Sequence, residues 1–283
     1  MALSSLLFLL LPTLSDADST INLETTVVSA NRTEQMIENT TVSIDVLPQR
    51  LLASKSNSRI EQVIQMSPGV TIQDGQANIR SGSGWSLGAG SRVLLLVDDL
   101  PVLSPDAGGA IWNAMPMEAI EQIEIVKGAA SSLYGSSALN GVIHLRTWEP
   151  SDEMRIRVNT MTEIYDQAKI NSLNWSNQVR GQGAIRFAYS DSRGENNKHG
   201  WVFHGQALND QGFQYLVGDE SIRVHGKYRY KPSNNFEIGI NANVWSSDRS
   251  SSLIWEDFRF GYTPLDSSAT LTQSNLGSIN GYL

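Results

Sequence analysis

Beyond residue 150, apolar and polar side chains alternate with a period of two. In the segment 154–165, Ile156 and Val158 fall on one face, while Arg155 and Arg157 fall on the other. An alternation of this kind predicts β-strands. The same pattern recurs in the segments 182–190, 200–208, 221–231, 236–246 and 253–262.

These segments are longer than the strands of a soluble protein. Strands of a soluble sandwich usually have about five or six residues. Segments of about ten residues with one apolar face, one polar face and aromatic ends are typical of membrane-spanning β-barrels. A soluble sandwich remains the alternative, and the pattern favours antiparallel barrel strands.

The residues before 150 show a different order of elements. Short apolar runs predict strands at 41–47, 70–72, 92–97 and 122–126. Helical spacing predicts one helix at 59–66, which Pro68 and Gly69 end, and a second short helix at 117–120. Strands that alternate with helices predict a mixed α/β domain over about 41–149.

The N-terminal residues 1–40 divide into an apolar and a polar part. Residues 1–14, MALSSLLFLLLPTL, have the length of a signal peptide, and small residues allow cleavage after Ala17. A buried helix is the alternative, because the first basic residue is Arg32. Residues 18–40 are expected to form a mobile polar arm, and its β-prone island, ETTVVSA at 24–30, has no evident partner strand.

Composition excludes several classes of site. The chain has no cysteine, which removes disulfides, thiolate metal sites and cysteine nucleophiles. Its net charge of -8 and its lack of a basic cluster argue against nucleic acid as a partner. Residues 1–150 contain 15 of the 29 acidic residues but only five of the 22 aromatic residues. The chain therefore divides near Pro150 into two regions of different composition.

Two motifs suggest chemistry that their surroundings do not support. Residues 84–88 match the G-x-S-x-G elbow of serine hydrolases, with Ser86 as nucleophile and Asp98 or Asp99 with His144 as partners. That elbow must lie between a strand and a helix, and no helix follows here. The glycine-rich run 128–137 lacks the lysine of a phosphate-binding loop. We therefore expect no catalytic residue, no cofactor and no metal site, since the four histidines lack zinc-site spacing.

Four stretches occur together in an order that resembles TonB-dependent outer-membrane receptors. They are ETTVVSA at 24–30, QMSPGV at 65–70, VDDLP at 97–101 and IEQIEIVKGAASSLYGSSALNGVIHLRT at 120–147. The last is the most specific. The family usually has glycine where Ser81 and Asp99 stand and arginine where Lys127 stands. The resemblance implies an α/β plug domain followed by strands of an antiparallel transmembrane β-barrel.

The resemblance also assigns roles to residues. Residues 24–30 would be the TonB box, which adds as a strand to the periplasmic protein TonB: Glu24, Thr25, Thr26, Val27, Val28, Ser29 and Ala30. The ligand would be a metal chelate, cobalamin or a glycan, bound by residues in the outward loops: Trp85, Ser86, Leu87, Ser104, Asp106 and Trp112. Arg80 would face the barrel wall, with an exposed loop arginine as the alternative. The small residues of 126–143 would pack in the plug, with Leu133, Tyr134 and Leu139 as anchors.

Topology and strand number complete the expectations. The short turn 231–235 should be periplasmic, which requires an even-numbered strand before it, so 166–180 is assigned to the first outer loop. Six strands cannot close a barrel of this family, and an open sheet in lipid leaves edge groups unpaired. We therefore expect an incomplete barrel at 150–283. The chain would be an N-terminal fragment of a longer outer-membrane receptor or, alternatively, the product of a truncated gene that does not transport. The runner-up is an exported surface-binding β-protein that works without TonB.

Overall fold

The structure is a computed structural model. It describes residues 26–30, 32–33, 35–54, 59–73, 75–82, 92–103, 108–176, 178–233, 236–252 and 269–282. Two parts follow one another along the chain. We call residues 26–149 the N-terminal domain. We call the six-stranded sheet formed by residues 155–282 the meander.

The N-terminal domain contains short strands and three short helices around one mixed sheet. In chain order they are β1 (Thr26–Val27), β2 (Gln35–Met36), β3 (Ile44–Pro48), α1 (Gln49–Ser54), α2 (Ile60–Ile64), β4 (Val70–Gln73), β5 (Gln76–Ile79), β6 (Val93–Val97), β7 (Leu100–Pro101), β8 (Ile120–Lys127), α3 (Ser131–Tyr134) and β9 (Gly141–Thr147). The five-stranded sheet has the order β3-β8-β9-β6-β7, and only the β6–β9 pairing is parallel. The predicted mixed α/β domain is confirmed.

The core of this domain lies between the central strands and α2. Strand β6 is apolar at every position, and β8 and β9 are buried at most positions, because both faces of the sheet are covered. The fully buried side chains include Ile60, Ile64, Leu95, Ile123, Ile125, Ile143 and Leu145. The spacing that predicted the helix at 59–66 therefore marks the face that α2 buries.

One predicted helix is wrong. Residues 117–119 form a turn, and Ile120 already begins β8. The amide of Ala119 bonds to the carbonyl of Pro116 at 3.1 Å, so the segment makes a single turn. Four residues are too few to repay the cost of helix nucleation when the chain must enter a strand directly afterwards.

The glycine-rich run at 126–143 is folded and compact. It contains α3 and a short 3₁₀ turn at Ser136–Ala138, and the amide of Ala130 bonds to the carbonyl of Ala138 at 3.0 Å. Ala138 is fully buried. Of the three expected anchors, only Tyr134 packs against the core, whereas Leu133 and Leu139 are exposed. The packing prediction is confirmed, but those two leucines do not supply it.

The meander is an antiparallel sheet of long strands in chain order. Its strands are β10 (Arg155–Ile164), β11 (Gly181–Arg193), β12 (His199–Asp210), β13 (Gly218–Ser233), β14 (Phe236–Ser252) and β15 (Ala269–Tyr282). Five of the six predicted strands are confirmed, with longer bounds. The predicted strand 253–262 lies outside the described residues. The described part of 166–180 connects β10 to β11 and contains one 3₁₀ turn, Asn171–Leu173.

The alternation of the meander sorts its side chains onto two faces. Along β13, Ile222 and Val224 are exposed, whereas Arg223, His225 and Lys227 are buried. The buried polar face points towards the N-terminal domain, because these side chains contact it. The exposed apolar face is the one that lipid would cover. No helix in the described part of the chain is long and apolar enough to cross a membrane.

Candidate functional site

The segment Thr26–Ala30 packs against strands β8 and β9 of the N-terminal domain. Its first two residues, β1, pair with β2, so the expectation that it lacks a partner strand is wrong. The chain reverses through Arg32, which has a φ of 58°. Such a φ value is uncommon for residues other than glycine, and an arginine at this position does not predict a turn. The side chains of Val27, Ser29 and Ala30 are 0%, 1% and 2% exposed, while Glu24 and Thr25 lie outside the described residues.

Side chains from β8 and β9 hold this segment. Glu124 Oε2 accepts the backbone amides of Val28 at 3.0 Å and of Ser29 at 2.7 Å. Gln122 Nε2 donates to the carbonyl of Thr26 at 3.0 Å. The Ser29 hydroxyl lies 2.8 Å from His144 Nδ1. Four polar groups of the segment therefore have hydrogen-bond partners on β8 and β9.

The ionisable groups at this contact are shifted towards their deprotonated forms. Burial raises the pKa of the Glu124 carboxyl, but hydrogen bonds from Ser29 and Val28 outweigh burial and hold that pKa below its usual range. Burial lowers the pKa of the His144 imidazole, against the opposing effect of Asp99 and other carboxylates. The docking of Thr26–Ala30 on β8 and β9 therefore favours a charged Glu124 and a neutral His144.

The same contacts engage the histidine of the suggested hydrolase triad. His144 Nε2 accepts the backbone amide of Asp99 at 3.1 Å, and Nδ1 is taken by Ser29. Neither ring nitrogen is left to serve as a general base. Ser86, the expected nucleophile, lies outside the described residues.

A second buried site joins the N-terminal domain to the meander. Glu118 lies just before β8 in the chain. Its carboxylate accepts a hydrogen bond from Arg223 Nη2 at 2.7 Å and lies 2.9 Å from His204 Nδ1. All three side chains are almost fully buried. Burial raises the pKa of Glu118, but the Arg223 guanidinium and His204 overcome it and bring that pKa to about 2. Glu118 is thus a charged link between the two parts.

Lys227 forms a second charged contact between the meander and the N-terminal domain. Its ammonium lies 3.0 Å from Asp98 Oδ2 and 2.8 Å from Glu149 Oε1. Asp98 also accepts the amide of Thr147 at 2.8 Å and its hydroxyl at 2.6 Å. The turn that carries Asp98 and Asp99 in left-handed conformations is therefore fixed from two sides. The sequence analysis missed Glu118 and Lys227, although the basic inner face of β13 implied carboxylates opposite it.

The remaining predicted residues are only partly described. Arg80 donates to the Ser43 hydroxyl at 2.7 Å inside the N-terminal domain. Its predicted pairing with the barrel wall stays a prediction. Trp112 is 8% exposed, and its indole donates to the carbonyl of Gly75 at 2.7 Å, so the ring is a core side chain in this state. The other predicted ligand contacts lie outside the described residues: Trp85, Ser86, Leu87, Ser104 and Asp106.

A cavity of about 210 Å³ lies between the Asp98 turn and the inner face of the meander. Val97, Leu100 and Pro101 line one side, and His225 and Asn243 line the other. In the described part of the chain, no group of three or more His, Cys, Asp or Glu side chains is arranged to hold a metal ion. Beside this cavity the two parts also share a small buried apolar cluster, in which Ala119 and Trp148 pack against Ala188 and Val202.

Comparison with known proteins identifies the N-terminal domain. Residues 37–142 match the family model of the TonB-dependent receptor plug domain. They are a TonB-dependent receptor plug. The chain therefore contains a plug domain of the TonB-dependent receptor family, and this plug is followed by antiparallel strands that resemble those of the family's barrels.

Curated relatives cover most of this chain. Two proteins named vitamin B12 transporter BtuB, from two strains of Vibrio vulnificus, are 28% and 34% identical over 80% and 78% of the chain. The iron-regulated outer membrane virulence protein of Vibrio cholerae is 27% identical over 82%. The chain spans 35% to 38% of the lengths of these relatives. The first two relatives carry the name of a transporter and the third that of an outer membrane protein, which supports the outer membrane as the location of this chain.

Solved structures agree on the fold. The ferric citrate transporter FecA in its unliganded form matches with a TM-score of 0.67 at 15% identity, over 85% of this chain and 37% of that one. FpvA of Pseudomonas aeruginosa bound to heterologous pyoverdines matches with a TM-score of 0.64 at 15% identity, over 90% of this chain and 33% of that one. The plug and the meander therefore have the arrangement of receptor plugs and barrel strands.

Proposed function

We propose that this chain provides the plug and the first barrel strands of a receptor for energy-coupled uptake across the outer membrane. The observation that carries the proposal is the buried charged contact of Glu118 with Arg223 and His204. A plug fixed to the inner wall by polar contacts blocks the barrel, yet polar contacts reform in water when a plug is pulled aside. Such a plug needs force from a partner rather than a catalytic group.

The partner that supplies the force is TonB. Thr26–Ala30 lies on the N-terminal side of the plug and begins with the two-residue strand β1, and strand addition to another protein would use its main-chain groups. Main-chain hydrogen bonds resist pulling along the strand, and Val27 and Val28 add side-chain contacts. The TonB box of residues 24–30 would thus transmit force to the plug.

The ligand is a scarce solute of the classes that require this machinery: a metal chelate, cobalamin or a glycan. Relatives of this chain carry the names vitamin B12 transporter and siderophore receptor, which favours the first two classes. Ligand contact is assigned to residues in the outward loops of the plug, without the buried Trp112: Trp85, Ser86, Leu87, Ser104 and Asp106. Their glycine-rich surroundings allow a ligand to approach the backbone closely.

Replacing residues 24–30 by a Gly/Ser linker of equal length tests this proposal. Cells that carry the gene of this protein are offered labelled cobalamin and a panel of labelled ferric siderophores. The replacement is expected to reduce uptake to the level of energy-depleted cells, because the strand that TonB grips is lost. Ligand binding at the cell surface should stay unchanged, because the outward loops are intact.

A matched linker replacement of another polar stretch, residues 151–153, serves as the control and should retain uptake. Unchanged uptake after replacement of residues 24–30 would contradict TonB coupling and favour a passive surface-binding protein. Loss of both binding and uptake would instead mean that the replacement disturbs the plug, which a protease-protection assay on the same cells detects.

A further inference from the structure

The docked TonB box cannot take part in strand addition as it stands. Strand addition requires free backbone amides. In this structure the amides of Val28 and Ser29 are both bonded to one carboxylate oxygen of Glu124, at 3.0 and 2.7 Å. The carbonyl of Ser29 is also engaged, because it accepts the Tyr134 hydroxyl at 3.0 Å. The segment must therefore leave Glu124 before a partner strand can bind it.

The protonation state of His144 is set by its two neighbours. The backbone amide of Asp99 can only donate, so Nε2 of His144 is an acceptor and carries no proton. The ring proton is then on Nδ1, from which it is donated to the Ser29 hydroxyl at 2.8 Å. A second proton on Nε2 would point at the Asp99 amide. Protonation of His144 therefore breaks the contact between the Asp99 turn and the ring that holds Ser29.

The charges around these groups come from four elements. His144 on β9 faces the carboxylates of Asp98 and Asp99 in the β6–β7 turn, Glu124 on β8, and Arg146 on its own strand. Arg146 Nη1 lies 3.8 Å from Glu124 Oε1. In the turn that follows the docked segment, Arg32 lies 5.2 Å from the centre of the Tyr134 ring, and the Tyr134 hydroxyl donates to the carbonyl of Ser29. Glu124, His144 and Tyr134 are therefore the titratable groups that contact the segment. Burial raises the pKa of Tyr134 above its ordinary value of 10, so only Glu124 and His144 change their protonation below pH 7.5.

We propose that Glu124 and His144 form a proton-sensitive clamp that holds Thr26–Ala30 on the plug and releases it for strand addition when the clamp is protonated. The inference rests on the proposed function, since it assigns the regulation of the same TonB box. It makes Glu124 and His144 positioning residues for the partner-binding strand.

The direction of the pH dependence follows from linkage. Both groups have a lower pKa in the docked state than their ordinary values of 4.5 and 6.5. Release would remove the amide hydrogen bonds that lower the pKa of Glu124 and let water reach His144, so the docked state binds fewer protons than the released state and docking is lost as the pH falls. His144 therefore weakens docking below about pH 6.5, and Glu124 adds to this below about pH 4.5.

The absence of cysteine from the chain allows a direct measurement. Ala30→Cys places one thiol in the buried segment, and Thr33→Cys places one at an exposed site nearby. Each protein is reacted with a maleimide in outer-membrane vesicles at pH 7.5, 6.5 and 5.5. The ratio of the two rates removes the common effect of pH on thiolate content. We expect the ratio to rise about five- to tenfold from pH 7.5 to 5.5, since one pKa unit corresponds to a tenfold change.

Three variants separate the clamp from general destabilisation. His144→Asn keeps an amide donor near Nδ1 but cannot be protonated, so it should retain protection at pH 7.5 and lose the rise at pH 5.5. Glu124→Gln should raise the ratio at pH 7.5, because one carboxylate oxygen that accepts two amides is replaced. Glu121→Gln is the matched control, since Glu121 is exposed on the same strand, and it should behave as the parent.

Two results would overturn the clamp: a ratio that does not change with pH in the parent, or the full pH response in His144→Asn. Binding of the isolated periplasmic domain of TonB to the same vesicles tests the proposed function separately. A pH-dependent ratio without any TonB binding contradicts the proposed function and supports the clamp. TonB binding that is equal at all three pH values contradicts the clamp and supports the function.

Discussion

Glu118→Ala is expected to lower the free energy of unfolding by about 3–5 kcal/mol, which is the usual cost of removing one partner from a buried ion pair. Arg223 and His204 are 3% and 0% exposed, and both would lose the carboxylate that compensates for their burial. The measurement is urea unfolding of the full chain in lipid vesicles. We expect the plug to become accessible to protease at a lower urea concentration than in the parent.

Two comparisons test the origin of this effect. The double variant Glu118→Met and Arg223→Met should cost less than the sum of the single variants, because it removes both charges together. Glu121→Ala on an exposed position of the same domain should change stability by about 0.5 kcal/mol or less. A loss in Glu118→Ala no larger than in Glu121→Ala would contradict a stabilising charged link.

The ion pair of Glu118 with Arg223 should also persist in acid. The pKa of Glu118 is lowered from 4.5 to about 2 in the folded protein. A carboxyl with a lowered pKa contributes its full stability above its ordinary pKa and loses it as the pH falls through the folded value. The difference in stability between the parent and Glu118→Ala should therefore be constant above about pH 5 and shrink only between about pH 4.5 and pH 2.

Gly141→Ala is expected to destabilise the plug by about 3–5 kcal/mol, the sum of backbone strain and overpacking. Gly141 has a φ of +147°, and a Cβ there would lie 2.3 Å from the carbonyl oxygen of Val126 and 2.7 Å from Ile79 Cδ1. Neither β8 nor β9 can move away without breaking the ladder that joins them. The measurement is the same urea unfolding experiment.

Gly128→Ala is a matched control for this substitution. Gly128 has nearly the same φ, +143°, but a Cβ there would meet no atom within 4 Å. It should cost only the strain of the backbone conformation, about 1–2 kcal/mol. Equal losses in the two variants would mean that the φ value alone requires glycine. A larger loss in Gly141→Ala would assign the difference to the contact with Val126.

Features that depend on neighbours in the sequence could be predicted. The alternation that defines β13 and β14 follows from the pleat, which places successive side chains on opposite faces. The helix at Ile60–Ile64 and its end at Pro68 and Gly69 also follow from local rules. The glycine-rich run at 126–143 was expected to be packed because a solvated linker has no use for its apolar residues.

The docking of Thr26–Ala30 on the plug could not be predicted, because it depends on groups far away in the chain. Ser29 and Glu124 are separated by 95 residues, and Ser29 and His144 by 115. Nothing in ETTVVSA indicates that a carboxylate will take its amides. The segment looked unpaired because its partner strand, β2, has only two residues and no turn signal before it.

The sequence alone therefore determined the two regions, the strand pattern and the family, since periodicity and motifs are properties of adjacent residues. The tertiary structure decided which carboxylate pairs with which cation and whether Thr26–Ala30 is free or bound to the plug. Glu118 and Glu124 are ordinary acidic residues in the sequence, and only the folding of β8 against the N-terminal segment and against β12 and β13 gives them their roles. Contacts of that kind arise from chain topology, which a local pattern does not contain.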